Sequence, residues 1–595
     1  MSRRKTSKPK QIEAPAKLDL AEGDEVILET VTKIVVKKRG SSERVVYGEL
    51  SDEQNLSDSV EAFKETHDYV GFAAAAGSLE DHAIQSMRNT ICKVVPMGAS
   101  ILSSSLSSAK EDIKKKKRIR ALFRSIQLDT TLGEGSCVAP WFIAYGLNST
   151  EKVRTVRLQH LMHTVNAETS FGAAKKILNK ALHREGDEDA FALSTLGDYE
   201  RRENASMDES VCNATCSILE KWGFDYSTGQ LVDPEKLNGF LSLHGYAEPT
   251  PIDGTSIMTC MSAALGKGVK LNIGKALDDS FASTVSISID EVLSKHQKEE
   301  RVTAAMKQQA LDSGVQSISS KSSCGSEYDE GRQRFVSNAC ACIQVLGFKP
   351  YYITAPTVDE ALKRVLAFLL VTGFIGRKLV FFTDGAKNLQ LAIDRLFSFV
   401  EHKLIIDWYH IAKRCSQLLS QAFTGLISQK RGLKRRFLCF IWHGDIDGIL
   451  ALLCAIKSQD KQKIIELLYP DHQADSSDDK EKLYIPKVKN EAKLTEFINY
   501  LGNKESLMTC YSVRAYLKCK VSSNMAEKAN DMLVAHRQKK KAMSWSQDGS
   551  SGMATLKAFM KNGDLNNWIL HRKFQFRANP CLPCANYQAD MGCAA

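Results

Sequence analysis

The sequence predicts an α/β core whose mixed sheet is interrupted by an all-helical insertion. Two stretches carry the first half of that expectation. Leu379 to Phe382 is an apolar run rich in strand formers, and it stops at Thr383-Asp384-Gly385. A short apolar run closed by a turn signal reads as a buried parallel strand. Leu389, Ile393, Leu396, Phe397 and Val400 then recur at helical spacing, Leu404 to Ile406 forms a second short apolar run ending in Asp407, and a helix begins near Trp408. Strand, helix, strand, helix is the repeating unit of an α/β sheet. The second half rests on the segments after His410, which read as successive helices broken by the acidic loop Asp471 to Lys482. Asp384 falls at the carboxyl end of a strand, where open sheets place ligand sites. The plainer role for such a residue is to cap the following helix.

A chain of 595 residues, 43% apolar and 25% charged, is globular in composition and long enough for about three to five domains. The net charge of +10 suggests an anionic partner. The sixteen cysteines follow no disulfide framework and no secretory leader opens the chain, so they read as cytosolic thiols. No apolar run approaches the ~18 residues that a membrane span requires. Residues 1–24 read as a basic flexible arm, and residues 25–150 as an α+β region.

Within that region Val26 to Val36 and Arg44 to Leu50 are strand-like and flank a hairpin-like turn. Lys114, Lys115, Lys116, Lys117, Arg118 and Arg120 form the densest basic run, read either as a solvated helix face or as a phosphate-contacting patch. Residues 151–280 read as helical. Val156 to Val165 and Ser170 to Leu182 have helical patterns, and a polar loop separates them from Ser194 to Glu203, a short capped helix carrying Arg201 and Arg202. The arrangement is compatible with a helix-turn-helix, in which Arg201 and Arg202 are expected to contact DNA, and also with a plain helical bundle. Cys212 and Cys216 have no nearby partner pair for a metal and read as buried thiols.

The core's first part is expected over 281–430. Val285, Ile287 and Ile289 alternate strictly in a strand that ends at Asp290. Two strand-like runs, Phe335 to Val345 and Pro350 to Thr354, an apolar helix from Val358 to Phe374, and the Asp384 strand come next. That order matches a ribonuclease-H-like sheet, in which the first and fourth strands are neighbours. Two aspartates at adjacent strand ends can then bind divalent metal ions. Two-metal phosphodiester chemistry needs oxygen ligands, and two aspartates supply too few, so a third carboxylate is required. After the insertion at 431–520, the segment 521–568 opens with Ser522-Ser-Asn524 as a cap, with Glu527 in the helix's first turns and a basic end whose Arg537, Lys539, Lys540 and Lys541 are expected to contact DNA phosphates. Asp531, Glu291, Glu401 and Glu505 are the rivals for the third carboxylate. Glu291 points to the opposite sheet face from Asp290, and Asp531 is the nearest rival.

Three motifs in order resemble those of DDE-type insertion-sequence transposases related to the Mutator-like group. They are Thr383-Asp-Gly-Ala386, Asp407-Trp-Tyr-His410, and Ser523-Asn524 with Glu527 followed by Arg537-Gln-Lys539 and Met543-Ser-Trp545. The resemblance covers roughly residues 283–568. It implies a ribonuclease-H-like catalytic core in which Asp290, Asp384 and Glu527 hold Mg²⁺ (or Mn²⁺), with Asp407 and His410 in support. It implies a DNA transposase, working as a homo-oligomer on the terminal repeats of a mobile element and on target DNA in the bacterial cytoplasm, at the nucleoid. The alternatives are a nuclease of the same fold that cuts without joining, and a domesticated DNA-binding protein or repressor. The tail, residues 569–595, offers Cys581, Cys584 and Cys593, one thiol short of a four-ligand zinc site.

Overall fold

The computed structural model describes residues 25–37, 40, 42–58, 61, 76–87, 89–90, 125–129, 134–138, 153–181, 191–244, 254–272, 284–296, 335–470, 484–517, 519–522, 524–540 and 543–581. The chain divides into two compact units, residues 1–162 with 176–191 and residues 163–175 with 192–595. In the first, β1 (Ile27–Lys37) and β2 (Arg44–Asn55) form the expected antiparallel hairpin. Its β3 (Ser125–Asp129), β4 (Glu134–Val138) and β5 (Val153–Arg154) form a small sheet in the order β4-β3-β5. Lys114 to Lys117, Arg118, Arg120, Lys541, Cys584 and Cys593 lie outside the described residues.

The second unit is built on a five-stranded mixed sheet of β6 (Thr284–Lys295), β7 (Phe335–Val345), β8 (Tyr351–Ala355), β9 (Lys378–Thr383) and β10 (His402–Ile406), in the order β10-β9-β6-β7-β8. β6, β7 and β8 pair antiparallel, whereas β6, β9 and β10 pair parallel. The first and fourth strands are therefore neighbours, as the sequence predicts. Alternation along β9 explains why it is buried on both faces. Leu379 and Phe381 enter one core cluster with Val285, Ile287 and Ile289, while Val380 and Phe382 enter another with Ile405, Ile406 and the insertion helices.

The first face is covered by helices α1 (Leu193–Lys221), α2 (Val358–Thr372) and α6 (Gln547–Asn562), which supply Met207, Val211, Leu366 and Phe559 to its cluster. α2 begins at Thr357, whose side chain accepts from the Glu360 N–H, and ends at Gly373 in the left-handed region with φ 74°. The opposite face is shared. Over β9 and β10 lie α3 (Trp408–Ala422) and the insertion helices, including α4 (Glu491–Lys504). Over β6 and β7 lies α5 (Asn524–Asn530) with its continuation, where Ala529, Leu533 and Val534 pack on Val292, Cys340 and Cys342.

Several expectations are corrected. Asp290 does not end its strand. β6 loses its β9 partner after Ser288↔Phe382 but stays paired with β7 as far as Lys295↔Phe335. A charged run does not terminate a strand that keeps one complete ladder, and Glu291, Leu293 and Lys295 simply alternate outward. Ser194 to Glu203 is no short helix but the opening of α1, which runs to Lys221 and packs on the core. Arg201 and Arg202 are exposed there, Arg201 pairing with Asp198 at 2.6 Å. Cys212 and Cys216 are half-buried, Cys212 against Arg364 and Cys216 against Glu220. Among the described residues of 411–520, the elements are helices apart from a two-residue ladder between Phe423–Thr424 and Lys487–Val488.

Arg537 is a further correction. Expected to contact phosphate, it is fully buried. Its guanidinium lies 5.2 Å from the Phe171 ring and 5.0 Å from the Trp545 ring, and its Nε donates to the Asn166 carbonyl at 3.0 Å. Two aromatic faces and a carbonyl give a planar cation a place inside the core. Lys539 and Lys540 remain exposed, and Lys540 pairs with Asp531 at 2.7 Å. Among the described residues no helix is long and apolar enough to cross a membrane.

Candidate active site

Asp290 and Asp384 share a face of the sheet by parity. Asp290 lies two residues beyond Ser288 and Asp384 two beyond Phe382, the last residues of the β6–β9 ladder. Both therefore point to the face that the insertion and α5 share. Asp384 follows β9 in a tight turn. Its Oδ1 accepts the Ala386 N–H at 2.7 Å, so it braces the turn; no side chain caps the helix Lys387–Leu396 that follows. The turn needs Gly385, whose φ is 87° and where an added Cβ would stand 3.2 Å from Ile406 Cδ1. Asp384 itself is exposed.

Asp290 is more enclosed. Its Oδ1 accepts the Glu291 N–H and its Oδ2 accepts from Asn530 Nδ2, each at 2.8 Å. Asn530, one turn after Glu527 on α5, is a site residue that the sequence does not single out. Burial pushes the Asp290 carboxyl above the usual carboxylate range; the Glu291 N–H opposes this, the charges of Asp384 and Glu527 add to it, and His410 counters them. Asp384, His410 and Glu527, distant in sequence, thus all act on the charge of Asp290.

His410 joins this group from the first turn of α3. Asp407, at the position before that helix, is fully buried and its side chain makes no cap. It binds His410 Nδ1 through Oδ2 at 3.0 Å instead, while His410 Nε2 stands 3.8 Å from Glu527 Oε1. The Asp407 hydrogen bond is the main reason that the imidazole is held above its ordinary pKa; burial opposes it, and the charges of Asp407, Asp290 and Glu527 reinforce it. The expected Asp–His pair is present, and it fixes the ring so that one nitrogen faces the acids.

Glu527 is half-exposed and lies beside His410. Its rivals lie elsewhere: Asp531 is exposed and paired with Lys540, Glu291 is exposed on the outward side of β6, and Glu401 stands 3.9 Å from Lys378. α5 continues as a π-helical segment, Asp531–Ala535, before His536–Gln538. π-bulges are rare and frequent at functional sites.

Carboxylate oxygens of this kind suit a hard divalent cation such as Mg²⁺. Among the described residues no three His, Cys, Asp or Glu side chains form a ready-made cage. The donor set is nevertheless of the chemistry that a divalent cation takes: the charged form of the Asp290 carboxyl is disfavoured first by burial and then by Asp384 and Glu527, and a cation beside it would offset both. Comparison of the chain with protein-family models, curated proteins and solved structures finds no match.

Proposed function

We propose that this chain is a DDE-type DNA transposase with a ribonuclease-H-like core, which cuts the ends of a mobile element and joins them to target DNA. The observation that carries this reading is the convergence of Asp290, Asp384 and Glu527, from two neighbouring parallel strands and a remote helix, into one electrostatic neighbourhood. The strand order β10-β9-β6-β7-β8, with its antiparallel β6, β7 and β8, supports the same fold reading.

Mg²⁺, or Mn²⁺ in its place, held by Asp290, Asp384 and Glu527 would activate the attacking oxygen and stabilise the leaving oxygen at the scissile phosphate. The protein's own groups have distinct tasks. Asp290 is fixed by strand pairing and by Asn530. Asp384 is set by its turn. His410, oriented through Nδ1 by Asp407, presents Nε2 beside Glu527 as a proton carrier and a steadying charge. DNA would reach the site from the exposed side of Asp384. The partners would be element ends, target DNA and further copies of this chain, in the bacterial cytoplasm.

The test uses purified full-length protein, a labelled duplex carrying the DNA that flanks its gene, and a target plasmid, with Mg²⁺ or with EDTA. Mg²⁺-dependent cleavage followed by joining is the expected result. Cleavage without joining would make the protein a nuclease, and binding without cleavage would make it a DNA-binding factor or repressor.

A further inference from the structure

The helical insertion reaches back to the Asp384 turn. α4 is its last long helix, and Tyr500 and Lys504 lie four residues apart on one side of it. Lys504 Nζ donates to the Gly385 carbonyl at 2.6 Å across 119 residues of sequence. The Lys504 stem also lies on the turn, since its Cε stands 3.8 Å from the point where Gly385 would carry a Cβ. The same carbonyl accepts from Gln390 Nε2 at 2.8 Å. One donor is therefore local and the other arrives from the insertion. Tyr500 occupies the neighbouring position: its phenol is pushed up to about 12, first by burial, then by Cys415, with Arg414 opposing and the Asp384 charge adding.

An exposed lysine at a helix end usually faces water or a carboxylate. Lys504 is half-buried, and its partner is the backbone of the residue after Asp384. A carbonyl clamped by two donors holds the peptide that sets the Asp384 side chain. We infer that Lys504 is a positioning residue for Asp384, so that the site is complete only when the insertion is docked on the sheet. This inference rests on the reading of Asp290, Asp384 and Glu527 as a divalent-cation site. It adds that the insertion is part of that site rather than an appended module.

The experiment titrates full-length protein with Mn²⁺ by calorimetry and follows hydrogen exchange at the amides of Gly385 and Ala386. The variants are Lys504→Met, which keeps the stem and deletes the donor, Lys504→Arg, which restores a donor, and Asp384→Asn. Lys504→Met should weaken Mn²⁺ binding about tenfold, the scale of removing one charged hydrogen bond, and should speed exchange at the turn. Its metal-free melting temperature should stay within about 2 °C of wild type, as for a side chain outside the core. Lys504→Arg should recover most of the affinity and of the protection. If Lys504→Met binds Mn²⁺ like wild type while Asp384→Asn does not, the inference is overturned and the metal-site reading stands. If wild type and Asp384→Asn bind Mn²⁺ alike, the metal-site reading falls. Exchange at the turn then decides the clamp alone, and unchanged exchange in Lys504→Met overturns it.

Discussion

The two faces of the central sheet are built to different ends. One is sealed: Val285, Ile287, Ile289, Leu379 and Phe381 meet α1, α2 and α6 in a single continuous cluster. The other is divided between two separate clusters, one under the insertion and one under α5. Asp290 and Asp384 point to the divided face, and His410 and Glu527 come from the two elements that cover it. A seam between independently packed clusters can admit water, ions and substrate without opening a core. The sealed face supplies stability, and the divided face supplies access.

The largest test of that contrast is chemical. Asp384→Asn and Glu527→Gln should each lower cleavage by roughly 10³-fold or more, the scale seen when a member of a catalytic set is removed. Asp531→Asn and Glu291→Gln should retain it. Retained cleavage in Glu527→Gln with loss in Asp531→Asn or Glu291→Gln, at matched amounts of folded protein, would place the third carboxylate elsewhere.

Next come the two aromatic residues of β9. Phe381→Ala, on the sealed face, should cost about 3–5 kcal/mol of stability and leave the cleavage rate of the folded fraction unchanged. Phe382→Ala, two residues before Asp384 on the divided face, should cost a similar amount and slow cleavage as well. Denaturant unfolding together with the cleavage assay separates the two, and identical behaviour would remove the distinction between the faces.

Asn530→Ala tests the seam itself. It deletes the donor to Asp290 and should slow cleavage about tenfold, the scale of a hydrogen bond to a charged group. An unaltered rate would reduce Asn530 to packing.

A pH-dependent effect concerns Asp564, the buried carboxyl beside the sealed face, raised to about 6 by burial against the opposing Arg577 and its hydrogen-bond donors. Because its folded pKa lies above the unfolded one, its stabilising effect is complete below the ordinary carboxyl range and is lost as pH rises through about 6. Asp564→Asn should therefore gain stability relative to wild type between about pH 4 and pH 7, by no more than about 3 kcal/mol, and stay level above that. A difference in melting temperature that does not change with pH would contradict the shift.

The smallest expected effect is none. Arg537→Met should leave the salt dependence of DNA binding unchanged, because the guanidinium is closed off by Phe171 and Trp545. Neutralising Lys114 to Lys117 should instead lower the slope of log affinity against log salt by roughly one unit for each phosphate that is no longer neutralised. A slope that moves with Arg537 would mean that it leaves the core to bind DNA.

What is legible in the sequence is local. The β9 and β10 runs, the α2 pattern and the Asp407–His410 pair are short-range signals, and the structure has each of them. What is not legible depends on distant partners. Asn530 serves Asp290 across 240 residues and Lys504 serves Gly385 across 119. Arg537 sits in a run that looks like surface charge, and only the aromatic residues it meets in three dimensions make it a core residue. The end of β6 is hidden for the same reason: a charged run looks like a stop, whereas β7 keeps the ladder going.

The π-helical segment Asp531–Ala535 has a consequence for how the C-terminal third can vary. It acts as a phase shifter between two fixed ends, with Glu527 and Asn530 facing the acids before it and Arg537 and Gln538 locked in the core after it. Five residues wound with i→i+5 bonds turn the chain about as far as four in a regular helix, so straightening the segment at constant length would turn one end by roughly 100° relative to the other. Either the carboxylate or the arginine would then leave its place. Substitutions that keep the π turn can be absorbed, and so can loss of the turn together with one residue, because both leave the phase of the two ends unchanged.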